Sequence, residues 1–218
     1  MERIIYHGSE FIIEKPEYGK GNIHNDYGLG FYCCSNKALA EEWAAKRSGH
    51  GYINKYKIRD DRFNILDLTK PPNDNVLYWV ALLIHNRELS SDLKDNFPKE
   101  IKYLEDKFLI DVSKFDIVIG YRADDSYFRF PEAFIRSEIT LESLNKIFQA
   151  GELGKQYVLI SKRAFRLIRF LDYQEVFEKS KEDYYKRKSG ADKVFTDLLN
   201  SDRYSKETRL RDMIIDYE

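Results

Sequence analysis

An imidazole, a bare backbone and a hydroxyl stand side by side at His7, Gly8 and Ser9, directly after the apolar run of residues 4–6. Such a run predicts a short strand, so the triplet is expected near the end of that strand. An imidazole and a hydroxyl can each donate or accept a hydrogen bond, and a glycine admits close approach to its backbone. Taken alone, however, His7 is better explained as a surface or core histidine.

Two further segments carry residues of this kind. Residues 25–34, NDYGLGFYCC, place a Gly-x-Gly element before Tyr32, and residues 153–161, LGKQYVLIS, place Gln156 at the start of an apolar strand. The first is also explained as a glycine-rich turn into a strand, and Gln156 as a residue that merely begins one. A lone Gly-x-Gly is weak evidence for phosphate binding here, because no helix follows directly to supply a dipole.

Together and in this order, the three segments resemble the ADP-ribosyltransferase superfamily, in the branch that includes diphtheria toxin and the poly(ADP-ribose) polymerases. That branch shows His-Gly-Ser or His-Gly-Thr on the first strand, then Gly-x-Gly-x-Tyr, then a Glu that opens a late strand. This chain has His-Gly-Ser at residues 7–9, Gly-Leu-Gly-Phe-Tyr at residues 28–32, and Gln156 where the branch has Glu. The likeness spans residues 3–176. It is closest to a bacterial group of largely uncharacterised domains with the motifs YHGS, NDFGxGFY, YDIVIG and a Gln before an apolar strand.

The resemblance implies an α+β fold in which NAD binds in a cleft of a split β-sheet, between two small sheets with flanking helices. Gly8 would present its backbone to the nicotinamide carboxamide, His7 would bond the adenosine ribose, and Ser9 the nicotinamide ribose. Tyr32 would stack on the nicotinamide ring, and the glycines before it, including Gly30, would let its strand run close to the dinucleotide.

A second aromatic residue usually closes the other face of the nicotinamide, and Trp43 is the candidate. The alternative is that Trp43 is a core residue of an amphipathic helix. The catalytic residues implied by the resemblance are Gln156, Tyr32 and His7, with NAD as a substrate and no metal.

The implied reaction cleaves the bond between nicotinamide and ribose, so the protein must orient the ribose and stabilise developing positive charge. A carboxylate would do both, whereas the amide of Gln156 can accept from a ribose hydroxyl but offers no full charge. Glu132, Glu138 and Glu152 are alternative carboxylates, although none opens an apolar strand. The adjacent Asp124 and Asp125 are better explained by a turn than by contact with the adenine ribose or the acceptor.

The resemblance therefore implies an ADP-ribosyltransferase that modifies a macromolecule, whether protein, RNA or DNA. Small cytoplasmic members of the group often act as toxins of toxin–antitoxin or phage-defence systems, so the resemblance also implies an antitoxin protein as partner. Two alternatives remain open: a module that binds NAD or ADP-ribose without turnover, which the amide at position 156 favours, and an NAD glycohydrolase.

Composition limits these alternatives. The 218 residues carry 36 Lys plus Arg against 37 Asp plus Glu, which argues against a dedicated nucleic-acid binder but leaves room for a local patch. The N-terminus shows no signal peptide and no run approaches the roughly 18 apolar residues of a membrane helix, so we expect a cytoplasmic protein. Cys33 and Cys34 are adjacent and lack disulfide or metal-site spacing, so we expect both to pack, one on each face of a strand.

The pattern of elements indicates an α+β domain over residues 1–176, and the 15% aromatic content suits a β-rich core. From residue 177 the chain is charged and lacks strand patterning, which predicts one or two surface helices broken near Gly190 or at residues 200–202. Strands are predicted at residues 3–8, 28–35, 51–58, 63–68, 115–121, 157–161 and 168–176. Helices are predicted at residues 36–47, 73–89, 98–109 and 140–151.

Overall fold

The computed structural model describes residues 1–45, 49–70, 76–122, 127–149, 154–177 and 181–215. The strands are β1 (Glu2–Ser9), β2 (Phe31–Cys34), β3 (His50–Arg59), β4 (Ile65–Asp67), β5 (Ile117–Tyr121), β6 (Lys155–Leu159) and β7 (Arg169–Phe177). The helices are α1 (Lys37–Ala45), α2 (Val76–Asn86), α3 (Ser91–Asn96), α4 (Pro98–Phe108), α5 (Arg129–Ile135), α6 (Leu141–Gln149), α7 (Lys162–Leu167), α8 (Lys181–Asp202) and α9 (Leu210–Ile215). This arrangement confirms the predicted α+β class.

Every predicted strand and helix has a counterpart, although residues 46–47, 73–75 and 150–151 of the predicted helices lie outside the described residues. The strand predicted from residue 28 begins only at Phe31, because the glycine-rich stretch before it forms a turn. Helices α3, α5 and α7 were not predicted. The start of α7 is capped by the Ser161 hydroxyl, which accepts from the Ala164 N–H at 3.0 Å.

The strands form one seven-stranded sheet in the order β4-β5-β6-β2-β1-β3-β7, rather than the two small sheets that the resemblance implied. Strands β4 and β5 are parallel and the other neighbours antiparallel. β1 pairs with β3 along its whole length, from Glu2 to Ser9, but with β2 only where Tyr6 lies opposite Cys34. One registered pair therefore joins the two halves into a single sheet.

Helices cover both faces of this sheet. Helix α2 is apolar on almost all sides and is buried, and Trp79 lies at its centre. The core around α2 also includes Phe130 and Phe134 of α5. On the opposite face α7 packs on β1, β2 and β3, since Phe165 shares a cluster with Ile5, Phe31 and Tyr56.

The C-terminal segment is helical, as predicted. Helix α8 runs through Gly190 without a break and ends at Asp202, so the second of the two predicted break points is confirmed. Its charged residues are not all solvated. The buried Asp202 carboxylate accepts from the Thr140 N–H at 2.8 Å and the Ser143 hydroxyl at 2.9 Å, and the buried Arg209 donates to the Glu138 carbonyl at 3.0 Å. The segment therefore packs onto the domain through polar contacts as well as apolar ones.

Across the described residues, none of the helices combines the length and apolar character needed to cross a bilayer.

Candidate functional site

A cavity of about 610 Å³ lies where β1 and β2 diverge beyond their single registered pair. Its volume falls in the range of small-molecule binding sites. Both strands, β6 and α1 contribute to its wall, together with the segment between β1 and β2, Arg87 after α2 and Arg122 after β5. Six of the seven residues predicted from the sequence line it: His7, Gly8, Gly30, Tyr32, Trp43 and Gln156.

His7 bridges the gap between the diverging strands. Its Nδ1 lies 2.6 Å from the carbonyl oxygen of Tyr32, and its ring lies 4.3 Å from the Phe31 ring between centroids. A carbonyl only accepts, so Nδ1 carries the proton and Nε2 is left as an acceptor. Burial lowers the pKa of His7, which keeps the ring neutral. The cavity wall thus presents a neutral imidazole in one fixed tautomer.

Gly8 is required by the packing of α1. A Cβ at this position would lie 1.9 Å from the Ala40 carbonyl oxygen and 2.8 Å from the Ala44 nitrogen. Gly30 is confined in the same way, since a Cβ there would lie 2.6 Å from Cγ1 of Val158. The structure therefore gives both glycines a reason in packing, whatever ligand the cavity takes.

Tyr32 presents its ring to the cavity and fixes its hydroxyl in the turn before β2. The hydroxyl donates to the Gly28 carbonyl at 2.6 Å and accepts from the Tyr27 N–H at 3.0 Å. Burial raises the pKa of Tyr32 well above its usual value, so the hydroxyl stays protonated. With its tip held in this way, the ring is a rigid aromatic surface suited to stacking.

Gln156 stands in the middle of the sheet, opposite Cys34 of β2 and Gly120 of β5. Its Oε1 atom is buried and has no hydrogen-bond partner among the described residues. A buried acceptor without a partner costs about 1–3 kcal/mol. Because Gln156 also lines the cavity, a ligand that brings a donor to this oxygen would recover that free energy.

Trp43 lies at the cavity rim and is 44% exposed, so the alternative that it is a core residue is wrong. The guanidinium carbon of Arg122 lies 5.2 Å from the centroid of the Trp43 ring. Arg122 is itself only 4% exposed and lines the cavity. The two side chains form a cation–π pair that fixes the ring on the side of the cavity nearest α1.

Ser9 is the one predicted site residue that does not line the cavity. Its hydroxyl donates to the Phe11 carbonyl at 2.5 Å and accepts from Nδ2 of Asn54 at 3.0 Å. The buried Asn54 also donates to the Phe11 carbonyl at 3.2 Å and accepts from the Ile13 N–H at 2.8 Å. Ser9 thus belongs to a network that fastens the start of the cavity-wall segment to β3.

Sequence reasoning missed the six charged residues of the wall: Lys15, Glu17, Lys20, Asp26, Arg87 and Arg122. Nε and Nη2 of Arg87 donate to Oδ1 of Asp26 at 2.7 Å and 2.6 Å. This ion pair ties the turn before β2 to the end of α2. Two signals in the sequence could have found two of them. Asp26 lies inside the motif NDYGLG, and Arg122 directly follows a fully buried strand.

Cys33 and Cys34 are buried free thiols that pack in different core clusters, which confirms the prediction of one on each face. Burial raises the pKa of Cys33, and it raises that of Cys34 to about 11. Both therefore stay protonated and poorly nucleophilic at neutral pH.

Among the described residues, the alternative carboxylates do not line the cavity. Neither Glu132, in α5, nor the exposed Glu138 lines it, and Glu152, Asp124 and Asp125 lie outside the described residues. Burial raises the pKa of Glu132. Asp26 and Glu17 do line the cavity, but Asp26 is bonded to Arg87 and Glu17 to Lys20 at 2.8 Å. The described part of the chain also contains no cluster of three or more His, Cys, Asp or Glu placed to hold a metal.

Comparison with known proteins gives one match. No curated protein and no solved structure matches the chain. A family model described as a protein of unknown function, DUF3990, matches residues 3–170, which include β1 to β6, α7 and the whole cavity. The chain is therefore a member of the DUF3990 family.

Proposed function

We propose that this protein is an ADP-ribosyltransferase that takes NAD in the cavity between β1 and β2. The observation that carries the proposal is that the residues predicted from separate segments lie together. Residues as far apart in sequence as His7 and Gln156 were singled out by their resemblance to one family, and they line a single cavity. The acceptor, and an antitoxin partner, enter the proposal through the resemblance alone.

The chemistry of the wall suits the two ribose–base halves of NAD. The lone pair of His7 Nε2 and the free Oε1 of Gln156 are both acceptors, and ribose hydroxyls are donors. Tyr32 and Trp43 supply aromatic surfaces for the flat nicotinamide ring. In this arrangement Gln156 accepts from the 2′-hydroxyl of the nicotinamide ribose and Tyr32 stacks on the ring.

The proposed reaction breaks the bond between nicotinamide nitrogen and C1′ of the ribose. Nicotinamide leaves with the bonding electron pair as a neutral molecule, C1′ becomes oxocarbenium-like, and a nucleophile of the acceptor attacks C1′ and loses its proton. Gln156 holds the ribose in orientation but adds no negative charge. Losing one preorganised electrostatic contact costs about 10²–10³ in rate, so the enzyme works slowly.

Nicotinamide release by the wild type, Gln156→Ala and Gln156→Glu, measured side by side, tests this proposal. We expect Gln156→Ala to lower nicotinamide release at saturating NAD at least about tenfold, because orientation of the ribose matters most in the transition state. We expect Gln156→Glu to raise NAD hydrolysis, because a carboxylate stabilises positive charge at C1′ and activates water. Equal activity of the wild type and Gln156→Ala would show that another residue carries the reaction.

The binding-module alternative rests on one observation, the amide at position 156 in place of a carboxylate. The same three proteins separate it from the enzyme. If neither the wild type nor Gln156→Ala releases nicotinamide while Gln156→Glu does, the native protein binds NAD or ADP-ribose without turning it over.

A further inference from the structure

Arg122 is a buried cation at the wall of the cavity. Its side chain is only 4% exposed, although the residue directly follows the end of β5. Burying a charged side chain costs free energy that other groups must offset. The Trp43 ring supplies part of this, because the guanidinium carbon lies 5.2 Å from the ring centroid. Arg122 also lines the cavity, so a bound ligand can contact it.

Arg122 and Gln156 lie in the same corner of the cavity. Gln156 is paired with Cys34 of β2, and directly paired residues point to the same face of a sheet. Cys34 packs against residues of α1, so this is the face that α1 covers. Burial raises the pKa of Cys34 and the Arg122 cation opposes that rise, so the guanidinium is within electrostatic range of the thiol. A ligand in this corner can therefore contact Gln156 and Arg122 together.

The charges on the cavity wall favour an anion. Among the described residues, the wall carries four cations and two carboxylates, namely Lys15, Lys20, Arg87, Arg122, Glu17 and Asp26. Both carboxylates are bonded to wall cations, Glu17 to Lys20 and Asp26 to Arg87. Glu42 of α1, whose charge raises the pKa of the Cys34 thiol, does not line the cavity. The described wall therefore has a net charge of +2, which complements the two negative charges of a pyrophosphate.

We propose that Arg122 binds a phosphate group of the ligand in this cavity, which under the proposed function is the pyrophosphate of NAD. A guanidinium can hold a phosphate through two parallel N–H···O bonds, and it stays charged in proteins. The ribose that Gln156 orients carries its phosphate on C5′, so one nucleotide can reach both side chains. Arg122 then determines specificity, because it favours a nucleotide over the corresponding nucleoside. The identity of the phosphate's carrier rests on the proposed function, but the anion site does not.

Isothermal titration calorimetry with ADP-ribose tests this site without turnover. We expect Arg122→Gln to raise the Kd for ADP-ribose by about 10- to 100-fold, the effect of losing hydrogen bonds to a charged group. The Kd for inorganic pyrophosphate should rise by a similar factor. Nicotinamide riboside carries no phosphate, so its Kd should be the same for the wild type and the variant. Arg122→Lys keeps the charge without the planar fork, and its Kd for ADP-ribose should lie between those of the wild type and Arg122→Gln.

Two further variants separate a phosphate contact from effects on folding or overall charge. Arg122→Met removes the charge without burying a new polar group, and it should raise the Kd for ADP-ribose as Arg122→Gln does. Arg166→Gln removes an exposed arginine of α7, on the opposite face of the sheet and outside the cavity wall, and should leave that Kd unchanged. Near-UV circular dichroism checks that each variant is folded.

Three results would overturn the inference. These are an unchanged Kd for ADP-ribose in a folded Arg122→Gln or Arg122→Met variant, an equal rise in Arg166→Gln, and an equal rise in the Kd for nicotinamide riboside, which would show that Arg122 shapes the cavity rather than binding phosphate. Failure of the proposed function gives a different pattern. A wild type that binds ADP-ribose or pyrophosphate through Arg122 but releases no nicotinamide keeps the phosphate site and loses the enzyme.

Discussion

Strand β1 is held very differently on its two sides. Toward β3 every residue from Glu2 to Ser9 has a registered partner, whereas toward β2 only Tyr6 does. On the β3 side the backbone N–H and C=O groups of β1 pair with those of β3, and side chains such as Asn54 add further hydrogen bonds. On the β2 side the His7 ring, instead of a backbone N–H, donates to the Tyr32 carbonyl. The cavity occupies the space that a continued ladder would have filled.

The difference shows how one strand can serve as scaffold and as binding-site wall. A full ladder leaves no unpaired polar groups, so it gives stability and no room for a ligand. An interrupted ladder leaves polar groups that side chains or a ligand must satisfy. Of the residues that the sequence marked as chemical, His7 and Gly8 lie on β1 beyond its last registered pair with β2.

The variant expected to have the largest effect on this contrast is Gly8→Ala. The new Cβ meets the α1 backbone at 1.9 Å and 2.8 Å, so α1 must move off β1 and take Trp43 with it. We expect the free energy of unfolding in urea to fall by about 3 kcal/mol or more, the upper end of overpacking effects. The control is Gly190→Ala, which meets no atom within 4 Å and should raise stability by about 0.5–1 kcal/mol because alanine favours the helix. A loss below about 1 kcal/mol for Gly8→Ala would contradict the contact.

Asn54→Ala tests the side of β1 that pairs with β3. It removes the bonds to the Ser9 hydroxyl, the Phe11 carbonyl and the Ile13 N–H, and it leaves buried polar groups unsatisfied. We expect a loss of about 2–3 kcal/mol in unfolding free energy and faster hydrogen exchange at the Ile13 amide. Ser9→Ala is the matched variant and should cost less than about 1 kcal/mol. Unchanged exchange at Ile13 would show that Asn54 does not fasten this segment.

The smallest effect concerns His7 and pH. Burial lowers the pKa of His7 in the folded protein, so as pH falls below about 6.5 the unfolded chain takes up this proton first. Stability is therefore intact above pH 6.5 and decreases as pH falls toward the depressed pKa. Between pH 7 and 5.5 we expect the wild type to lose about 1 kcal/mol more than His7→Gln in urea unfolding. Parallel pH profiles for the two proteins would contradict a buried neutral His7.

Much of the site was predictable because its residues sit in short local motifs. His7, Tyr32 and Gln156 each lie at the end or start of an apolar strand, and that position brings them to one place once the strands pair. Ser9 shows the limit of such reasoning. It is next to Gly8 in sequence, yet its hydroxyl is engaged by Asn54, a partner that no local pattern reveals.

The same limit applies to the fold. Helix α7 was missed although Ser161 caps it, because the strongly apolar residues around it suggested strands. The burial of Asp202 and Arg209 was missed because their high-charge segment indicates solvent exposure. Their partners are distant in sequence: Thr140 and Ser143 donate to the Asp202 carboxylate, and Arg209 donates to the Glu138 carbonyl. The junction of β1 and β2 could not be foreseen either, since the number of registered pairs depends on how α1 packs.

The single pair between Tyr6 and Cys34 also has a mechanical meaning. A sheet resists separation of two strands roughly in proportion to the hydrogen bonds that must break together, so β1 is stiffly coupled to β3 and loosely coupled to β2. Residues 10–30 connect β1 to β2 without forming a helix or strand of their own. Beside the cavity, β1 and β2 are therefore held together by one registered pair and the bond between His7 and the Tyr32 carbonyl, whereas eight pairs hold the ladder between β1 and β3.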